Sequence, residues 1–307
     1  MRERRWRPDA PADVESAMAP HRRGGGDPAW QLTADRAIWR TSRTPEGAGT
    51  LRVTVEPRER TVVAHAWGPG AGWMLETLPD LLGAHDRVGD FARLMGALGP
   101  EGHALVRELA SRHAGLRVGR TLRVFEALVP AVLEQKVVGR EAWRAWRWLL
   151  SRYGDPAPGP APATMRVFPE PEVWRAIPSW DWHRAGAEAV RARTIVNAAL
   201  HAAKLEAAGE AEADRLLRAL PGVGVWTSAE VRQRAYGDPD AVSVGDYHLP
   251  SLVGWSLTGR KTDDAGMLEL LSPYRGHRHR IVRLLELGGR RPPARGPRMA
   301  ARDYRSF

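Results

Sequence analysis

The sequence predicts an α+β protein, mostly α, in which a small N-terminal antiparallel sheet domain precedes an all-helical body. Three observations predict this fold class. Apolar and polar residues alternate with a period of two between about residues 30 and 72, as in strands with one buried face. Beyond residue 72 the apolar residues recur at spacings of three and four, as in amphipathic helices. A glycine-rich hairpin at 220–224 separates two such helices, and Asp246 follows it.

Composition limits the class of protein before any motif is considered. The chain has 307 residues, of which 43% are hydrophobic and 27% charged, as in a soluble protein of two or three domains. Its net charge of +10 favours a polyanionic partner such as nucleic acid, although a protein can be basic without one. The absence of cysteine excludes disulfides, thiolate nucleophiles and cysteine-ligated iron–sulfur clusters.

The ends of the chain differ in composition from its middle. Residues 1–28 mix Arg, Pro, Ala and Gly and predict a disordered tail. Residues 290–307 hold six arginines and one aspartate and predict a second, basic disordered tail. That tail would either add non-specific affinity for phosphates or remain solvated without a partner. Neither a signal peptide nor an apolar run of membrane-spanning length is visible, so we expect a cytoplasmic protein without a membrane partner.

Two domains are predicted between the tails. A β-rich α/β domain over 29–112 contains an early strand near 37–40 and two paired strands joined by a turn at 57–60. Leu51, Val53 and Val55 alternate on one face of the first paired strand. The helical body over 113–289 includes a helix-hairpin-helix at 213–235. Its other helices, and those that precede it after the sheet, are predicted at 74–82, 90–98, 103–113, 121–153 (two helices), 187–210, 249–258, 263–270 and 275–287.

The hairpin carries the first functional signal. Pro221 ends the preceding helix, while Gly222 and Gly224 allow positive φ angles and close approach of a partner to the backbone. Thr227 and Ser228 begin the next helix, whose first N–H groups lack internal partners and therefore suit an anion such as phosphate. Pro and Gly also make plain turns between helices, so the hairpin alone leaves both interpretations open.

The longer run resolves that choice. Leu-Pro-Gly-Val-Gly-x-Trp-Thr from residue 220 and Val-x-Val-Gly-Asp-Tyr-His-Leu from residue 242 resemble the helix-hairpin-helix/Gly-Pro-Asp superfamily of DNA glycosylases. Within it, the chain is most similar to the 3-methyladenine DNA glycosylase II, or alkylbase, branch. The segments 131–137, 168–171 and 273–275 resemble further family segments in the same order, so the likeness covers about residues 30–290.

The resemblance implies a function and a partner. A monomeric DNA repair enzyme would extrude an alkylated purine of the 3-methyladenine type from double-stranded DNA and hydrolyse its N-glycosidic bond. No cofactor would be required, and no iron–sulfur cluster is expected. Two other functions stay open: a catalytically silent DNA-binding protein, and a glycosylase for deaminated or oxidised bases.

Asp246 is the catalytic candidate. Cleavage of an N-glycosidic bond leaves an oxocarbenium-like sugar, which a neighbouring carboxylate stabilises and towards which it can orient water. An aspartate at this point could also cap the helix that begins near Tyr247, because aspartate is favoured at such positions. The two roles are compatible.

The resemblance also assigns DNA contacts. Lys136 stands where relatives place an apolar or amide wedge, and it could fill the gap left by the extruded base or bind phosphate. The carbonyl groups of the hairpin could hold Na⁺ or K⁺. The predicted cation ligands are the carbonyls of Arg218, Leu220 and Gly222, and the predicted DNA-binding residues are Gly222, Val223, Gly224, Thr227, Ser228, Lys136 and Arg275.

Four residues are predicted to line the base pocket: Trp226, Tyr247, Gln135 and Arg283. Trp226 stands where strand-nicking relatives carry a Schiff-base lysine, so the enzyme is predicted to be monofunctional and to leave an abasic site. Trp226 could stack on a cationic base or simply pack in the core. Arg283 stands roughly where relatives place a base-stacking tryptophan. His277 and His279 are expected on a solvated or phosphate-binding face, since no carboxylate accompanies them as a metal ligand.

Overall fold

The computed structural model describes residues 1–10, 12–56, 58–99 and 102–293. Five antiparallel strands form one sheet in the order β1-β5-β4-β3-β2. The predicted small antiparallel sheet is therefore confirmed. The strands are β1 (Arg2–Trp6), β2 (Trp30–Leu32), β3 (Ile38–Thr44), β4 (Gly47–Glu56) and β5 (Thr61–Trp67).

The alternating pattern explains which face of the sheet is buried. Leu51 and Val53 of β4 are almost completely enclosed, whereas Val55 at the end of the strand is 47% exposed. Two short helices, α2 (Ala71–Glu76) and α3 (Leu78–Leu81), cover the apolar face with Met74 and Leu78. Burying the larger side chains of this face stabilises the sheet by about 1.5–3 kcal/mol each.

The N-terminal segment is ordered, and the prediction of a disordered tail over 1–28 is wrong. Arg2–Trp6 pairs with β5 along its whole length, and a short helix, α1 (Val14–Met18), follows. Residues 20–27, which we call the N-terminal strap, pack against the helical body. Arg23 and Asp27 of the strap are 5% and 1% exposed, and Asp27 accepts a hydrogen bond from the Trp146 indole at 2.8 Å. The composition of residues 1–28 did not predict this burial, because the partners of Arg23 and Asp27 lie far away in the sequence.

The remaining chain is helical apart from a two-stranded ribbon, β6 (Asp155–Pro156) and β7 (Arg166–Val167). The helices are α4 (Val88–Leu98), α5 (Ala104–Arg112), α6 (Val124–Leu133), α7 (Gly139–Tyr153), α8 (Pro171–Ala176), α9 (Ser179–Ala185), α10 (Ala189–Leu200), α11 (Ala202–Glu206), α12 (Glu210–Arg218), α13 (Val225–Ala235), α14 (Leu249–Thr258), α15 (Asp264–Leu271) and α16 (Arg278–Gly288). None of the helices in the described residues is long and apolar enough to cross a membrane.

Two apolar cores divide the helices. The first holds Leu128, Leu149 and Trp174 and joins α6 to α13. The second holds Leu109 and Tyr274 and joins α4 and α5 to α14, α15 and α16. The predicted boundary at residue 112 therefore differs from the packing, because the apolar faces of α4 and α5 pack against the C-terminal helices rather than the sheet, with those of α4 only partly buried. The loop that carries the candidate catalytic aspartate connects the two cores.

The C-terminal prediction falls mainly beyond the structure. Residues 290–293 form neither helix nor strand. The rest of the predicted basic tail, from residue 294, lies outside the described residues, so its role stays a prediction.

Candidate active site and nucleic-acid interface

The hairpin between α12 and α13 requires glycine at one of its two glycine positions. Gly222 has φ = 86°, and a Cβ there would lie closer than 3.0 Å to the Thr194 hydroxyl on α10. Both the backbone conformation and the lack of space therefore demand glycine. Gly224 instead has an extended backbone (φ = −96°, ψ = −173°) that does not use the positive φ which glycine allows, and a Cβ there would meet no atom within 4 Å. Its exposed backbone is open to a partner.

Two of the predicted DNA-binding residues, Val223 and Ser228, point inward in this structure. Val223 is 6% exposed in the first core, and its N–H donates to the Leu220 carbonyl at 3.1 Å. Ser228 is fully buried: its N–H donates to the Gly224 carbonyl and its hydroxyl to Asp214 at 2.7 Å. Apolar and capping contacts inside the body outcompete the surface for these side chains. The exposed glycines, Gly222 and Gly224, and the start of α13 at Val225 remain accessible to a partner.

Gln135 connects this hairpin to the loop that follows α6. Its side-chain nitrogen donates to the Gly222 carbonyl at 2.9 Å and to the Thr227 hydroxyl at 2.8 Å. Thr227 is 2% exposed, and its hydroxyl accepts the bond from Gln135 inside the protein. Lys136, the next residue, is exposed and has φ = 55°. The structure thus brings Gln135, Lys136 and the hairpin together.

The predicted cation site uses carbonyls that already accept hydrogen bonds. The Leu220 carbonyl accepts from Val223, and the Gly222 carbonyl accepts from Gln135. A carbonyl oxygen has two lone pairs, so one remains on each for a weakly bound Na⁺ or K⁺. These oxygen atoms suit a monovalent cation, and the cation site stays a prediction.

Asp246 is held by three hydrogen bonds. Its Oδ1 accepts from the backbone N–H groups of His248 and Leu249, just before and at the start of α14, at 2.8 and 2.9 Å. Its Oδ2 accepts from the Trp226 indole at 3.2 Å. The predicted N-cap is therefore wrong in position, because α14 begins at Leu249 with His248 as its N-cap. Asp246 lies two residues earlier, and its bonds to the two amides orient the carboxylate that the resemblance assigns to catalysis. One oxygen is fixed by the helix, while the other faces the start of α13.

Trp226 is half-buried and contacts Asp246, so the alternative of simple core packing does not describe it. Tyr247 is 84% exposed, with its ring edge-on to His248 at 4.9 Å between centroids. An exposed ring cannot line an enclosed pocket, and in this structure Tyr247 lies at the surface beside Asp246. Arg275 is also exposed, before α16.

Arg283 lies on α16 and forms an ion pair with Glu286. Its side chain is 17% exposed, and its charge is among those that lower the pKa of His279 and of His21 in the strap. Arg283 is therefore near the strap and the second core. No contact places it beside Asp246, and its assignment to the base pocket stays a prediction.

A polar ladder on α13 was missed by the sequence reasoning. Trp226, Glu230 and Arg234 are spaced by four residues and so share one face of the helix. Glu230 accepts from the Ser243 hydroxyl at 2.5 Å and pairs with Arg234 at 2.8 Å. Arg234 also donates to the Pro20 carbonyl of the strap at 3.0 Å. Helical spacing alone could have revealed the alignment, although not its burial.

A second buried pair supports the loop that carries Lys136. The Arg23 guanidinium of the strap lies 3.2 Å from the Glu134 carboxylate, with side chains 7% and 17% exposed. Burial lowers the pKa of Arg23, and the charge of Glu134 opposes that shift. The partners are 111 residues apart, so no local pattern could have predicted the contact.

His277 and His279 are 4% and 8% exposed, which overturns the expectation of a solvated face. Burial lowers the pKa of both rings, and the charge of Arg280 lowers it further for each. Within the described part of the chain, no group of three or more His, Cys, Asp or Glu side chains is arranged to hold a metal ion. Both rings instead lie in the protein interior at the start of α16.

Sequence comparison finds DNA repair relatives, although no protein-family model matches. The chain is 29% identical over 234 residues to the probable bifunctional transcriptional activator/DNA repair enzyme AlkA from two strains of Mycobacterium tuberculosis. The match covers 72% of this chain and 44% of each relative. The chain therefore spans less than half the length of these relatives.

Structure comparison agrees on the fold. A 3-methyladenine DNA glycosylase from Archaeoglobus fulgidus superposes with a TM-score of 0.76 at 21% identity, over 92% of this chain and 97% of that one. An 8-oxoguanine glycosylase/lyase from Clostridium acetobutylicum superposes with a TM-score of 0.68 at 10% identity, over 90% and 92%. The predicted resemblance to the helix-hairpin-helix DNA glycosylases is thus confirmed, and the predicted fold with it.

Proposed function

We propose that this chain, which has the fold of the helix-hairpin-helix DNA glycosylases, is a DNA repair glycosylase that excises alkylated purines. It acts as a monomer on double-stranded DNA, whose backbone the hairpin grips while the damaged nucleotide is extruded. The observation that carries the proposal is the contact between the Trp226 indole and the Asp246 carboxylate, at the start of the helix that follows the hairpin. The relatives from Mycobacterium tuberculosis support it.

Asp246 performs the chemistry in this proposal. As the N-glycosidic bond breaks, positive charge develops on the sugar, and an ionised carboxylate in a water-poor cleft stabilises it. The backbone amides of His248 and Leu249 hold one carboxylate oxygen in place, so no reorganisation is needed as the charge appears. The exposed Gly222 and Gly224 and the amide end of α13 hold a phosphate nearby.

The excision ends at an abasic site in this proposal. A β-lyase needs an amine that attacks the sugar and forms a Schiff base. In the relatives that cleave the strand, this amine is a lysine at the position that Trp226 occupies here. The three lysines of this chain, Lys136, Lys204 and Lys261, stand at other positions. The lyase among the structural neighbours has only the fold in common with this chain at 10% identity.

Base release from duplexes carrying 7-methylguanine, 3-methyladenine, hypoxanthine or 8-oxoguanine tests the function. We expect release of the methylated purines by the wild type and a loss of at least about 10²-fold for Asp246→Asn. Asp13→Asn is the matched control, because Asp13 also caps a helix, by accepting from the Ser16 N–H, but lies in the N-terminal region. Binding without release of any base would leave only a DNA-binding protein, and release of 8-oxoguanine alone would change the substrate class.

Borohydride trapping in the same reactions tests the reaction subtype. A Schiff base would be reduced to a stable protein–DNA adduct. We expect no adduct and no strand cleavage until the product is heated or treated with base. An adduct with wild-type protein would contradict the monofunctional assignment while leaving the glycosylase intact.

A further inference from the structure

We propose that Gln135 is a positioning residue that locks the Lys136 loop to the hairpin, rather than a reader of the extruded base. This inference rests on the proposed function, since it concerns how the two DNA-contacting parts are kept in register. It departs from the base-pocket role that the sequence predicts for Gln135. The role follows from three sets of contacts around the loop.

The first set uses both donor positions of the amide. Gln135 Nε2 donates to the Gly222 carbonyl at 2.9 Å and to the Thr227 hydroxyl at 2.8 Å. A side-chain NH₂ group has two hydrogens, so these two bonds use its donor capacity. The amide therefore bridges the turn of the hairpin and the first turn of α13, and it has no hydrogen left for a base.

The second set concerns the residue beside it. Lys136 is exposed and adopts φ = 55°, a left-handed conformation that side chains with a Cβ disfavour. Such a conformation persists only where its surroundings fix it. The bonds of Gln135 and the Glu134–Arg23 ion pair at 3.2 Å fix the two residues that precede Lys136 in the loop.

The third set of contacts comes from α10, which packs against the end of α6 and against the hairpin. Arg191 donates to the carbonyl of Leu133, the last residue of α6, at 3.0 Å. Thr194, one turn further along, lies directly against Gly222. The start of the loop and the hairpin therefore both contact α10, and Gln135 connects the loop to the hairpin.

These contacts make Lys136 and the hairpin amides one rigid unit. A duplex with an extruded nucleotide must have its gap filled and its backbone phosphate held at the same time, so the spacing between the two contacts matters. Preorganised spacing of this kind affects reaction rates steeply, because small displacements of reacting groups cost large factors. Undamaged duplex, which offers phosphates without a gap, should not depend on it.

The test compares Gln135→Ala and Gln135→Glu with the wild type on three ligands: undamaged duplex, duplex with a tetrahydrofuran abasic analogue, and duplex with 7-methylguanine. We expect both variants to lose about tenfold more affinity for the abasic duplex than for undamaged duplex, and at least as much in single-turnover release; the comparison between duplexes cancels the general repulsion of DNA by the charge of Gln135→Glu. Glutamate is nearly isosteric but cannot donate at neutral pH, so it should behave like alanine. Gln31→Ala is the matched control, since Gln31 also donates to a threonine hydroxyl, that of Thr164, at 2.9 Å.

The abasic ligand separates the two roles of Gln135. It contains no base, so a base reader would leave its binding unchanged and would affect release alone, which would overturn the positioning role. Equal losses on undamaged and abasic duplexes, or wild-type behaviour of Gln135→Glu, would also overturn it. If the wild type releases no base at all, the proposed function fails, but the binding comparison still decides the role of Gln135.

Discussion

At the scale of single residues, position 226 links chemistry and geometry. The second residue of α13 projects its side chain towards the loop that carries Asp246, and its indole N–H reaches Oδ2 at 3.2 Å. A lysine there could form a Schiff base, whereas the tryptophan can only donate a hydrogen bond and offer its ring. In the proposed function, the residue at this one position separates a monofunctional reaction from strand cleavage, and the tryptophan present here also donates to the carboxylate.

Trp226→Phe tests that contact at the residue scale. Phenylalanine keeps an aromatic ring but removes the N–H donor to Asp246. A hydrogen bond to a charged group contributes about 1.5–3 kcal/mol, so we expect base release to slow roughly 10–100-fold. Affinity for abasic duplex should change little, because the hairpin remains intact.

Trp180→Phe is the control for this substitution, since Trp180 is 63% exposed on α9. Single-turnover rates at saturating enzyme measure the effect without a contribution from product release. A wild-type rate for Trp226→Phe would mean that Asp246 is oriented by its capping bonds alone.

At the scale of elements, the N-terminal strap supports the site from behind. Arg23 reaches Glu134 beside the Gln135 loop, and the Pro20 carbonyl receives Arg234 of α13. Breaking the first interaction would leave an unpaired charge inside the protein, whereas Arg234 would keep its ion pair with Glu230 if the second were lost. The strap therefore belongs to the helical body in packing terms, although it precedes the sheet in sequence.

Gly24→Ala tests the packing of the strap. Gly24 has φ = 75°, and a Cβ there would lie closer than 3.0 Å to the Trp143 ring. Left-handed strain and overpacking act together, so we expect destabilisation by about 1–3 kcal/mol and a lower Tm in calorimetry. Gly25→Ala is the matched control, because a Cβ at Gly25 meets nothing within 4 Å. Equal Tm values for the two variants would contradict the close packing of the strap on α7.

At the scale of the whole molecule, buried histidines link stability to pH. His279 and His21 lie among arginines, and burial first, then those charges, holds the pKa of each ring well below its ordinary value of 6.5. The unfolded chain binds these protons near pH 6.5, whereas the folded protein does not. The contribution is thus present above pH 6.5 and is lost as the pH falls towards the folded-state pKa values.

We expect the Tm to fall as the pH is lowered from about 7.5 to about 5.5 and the fall to be shallower in His279→Gln, which cannot be protonated. Substitution of His183, which is exposed on α9, should leave the pH dependence as in the wild type. The measurement is thermal unfolding across this pH range at constant ionic strength. Parallel curves for His279→Gln and wild type would contradict the role of this ring.

The sequence predicted those features that depend on neighbouring residues. The period of two predicted the strands around Leu51 and Val53, and spacings of three and four predicted most helices. The run from Leu220 to Leu249 predicted the hairpin, the aspartate and the family likeness, because the turn and its functional residues are close together in the chain. A contact between Asp246 and the start of the next helix was also predictable, since hydrogen bonds to the first amides of a helix are local, although the helix begins two residues later than predicted.

The tertiary structure alone decided which surfaces meet. Periodicity identifies an apolar face but not the core that it joins, so α4 and α5 were assigned to the sheet domain although they pack on α16 and its neighbours. The inward orientation of Val223 and Ser228, and the contacts of Arg23 with Glu134 and of Gln135 with Gly222, depend on partners distant in sequence. The local pattern therefore determined the chemistry present at the site, and long-range packing determined how its parts are held.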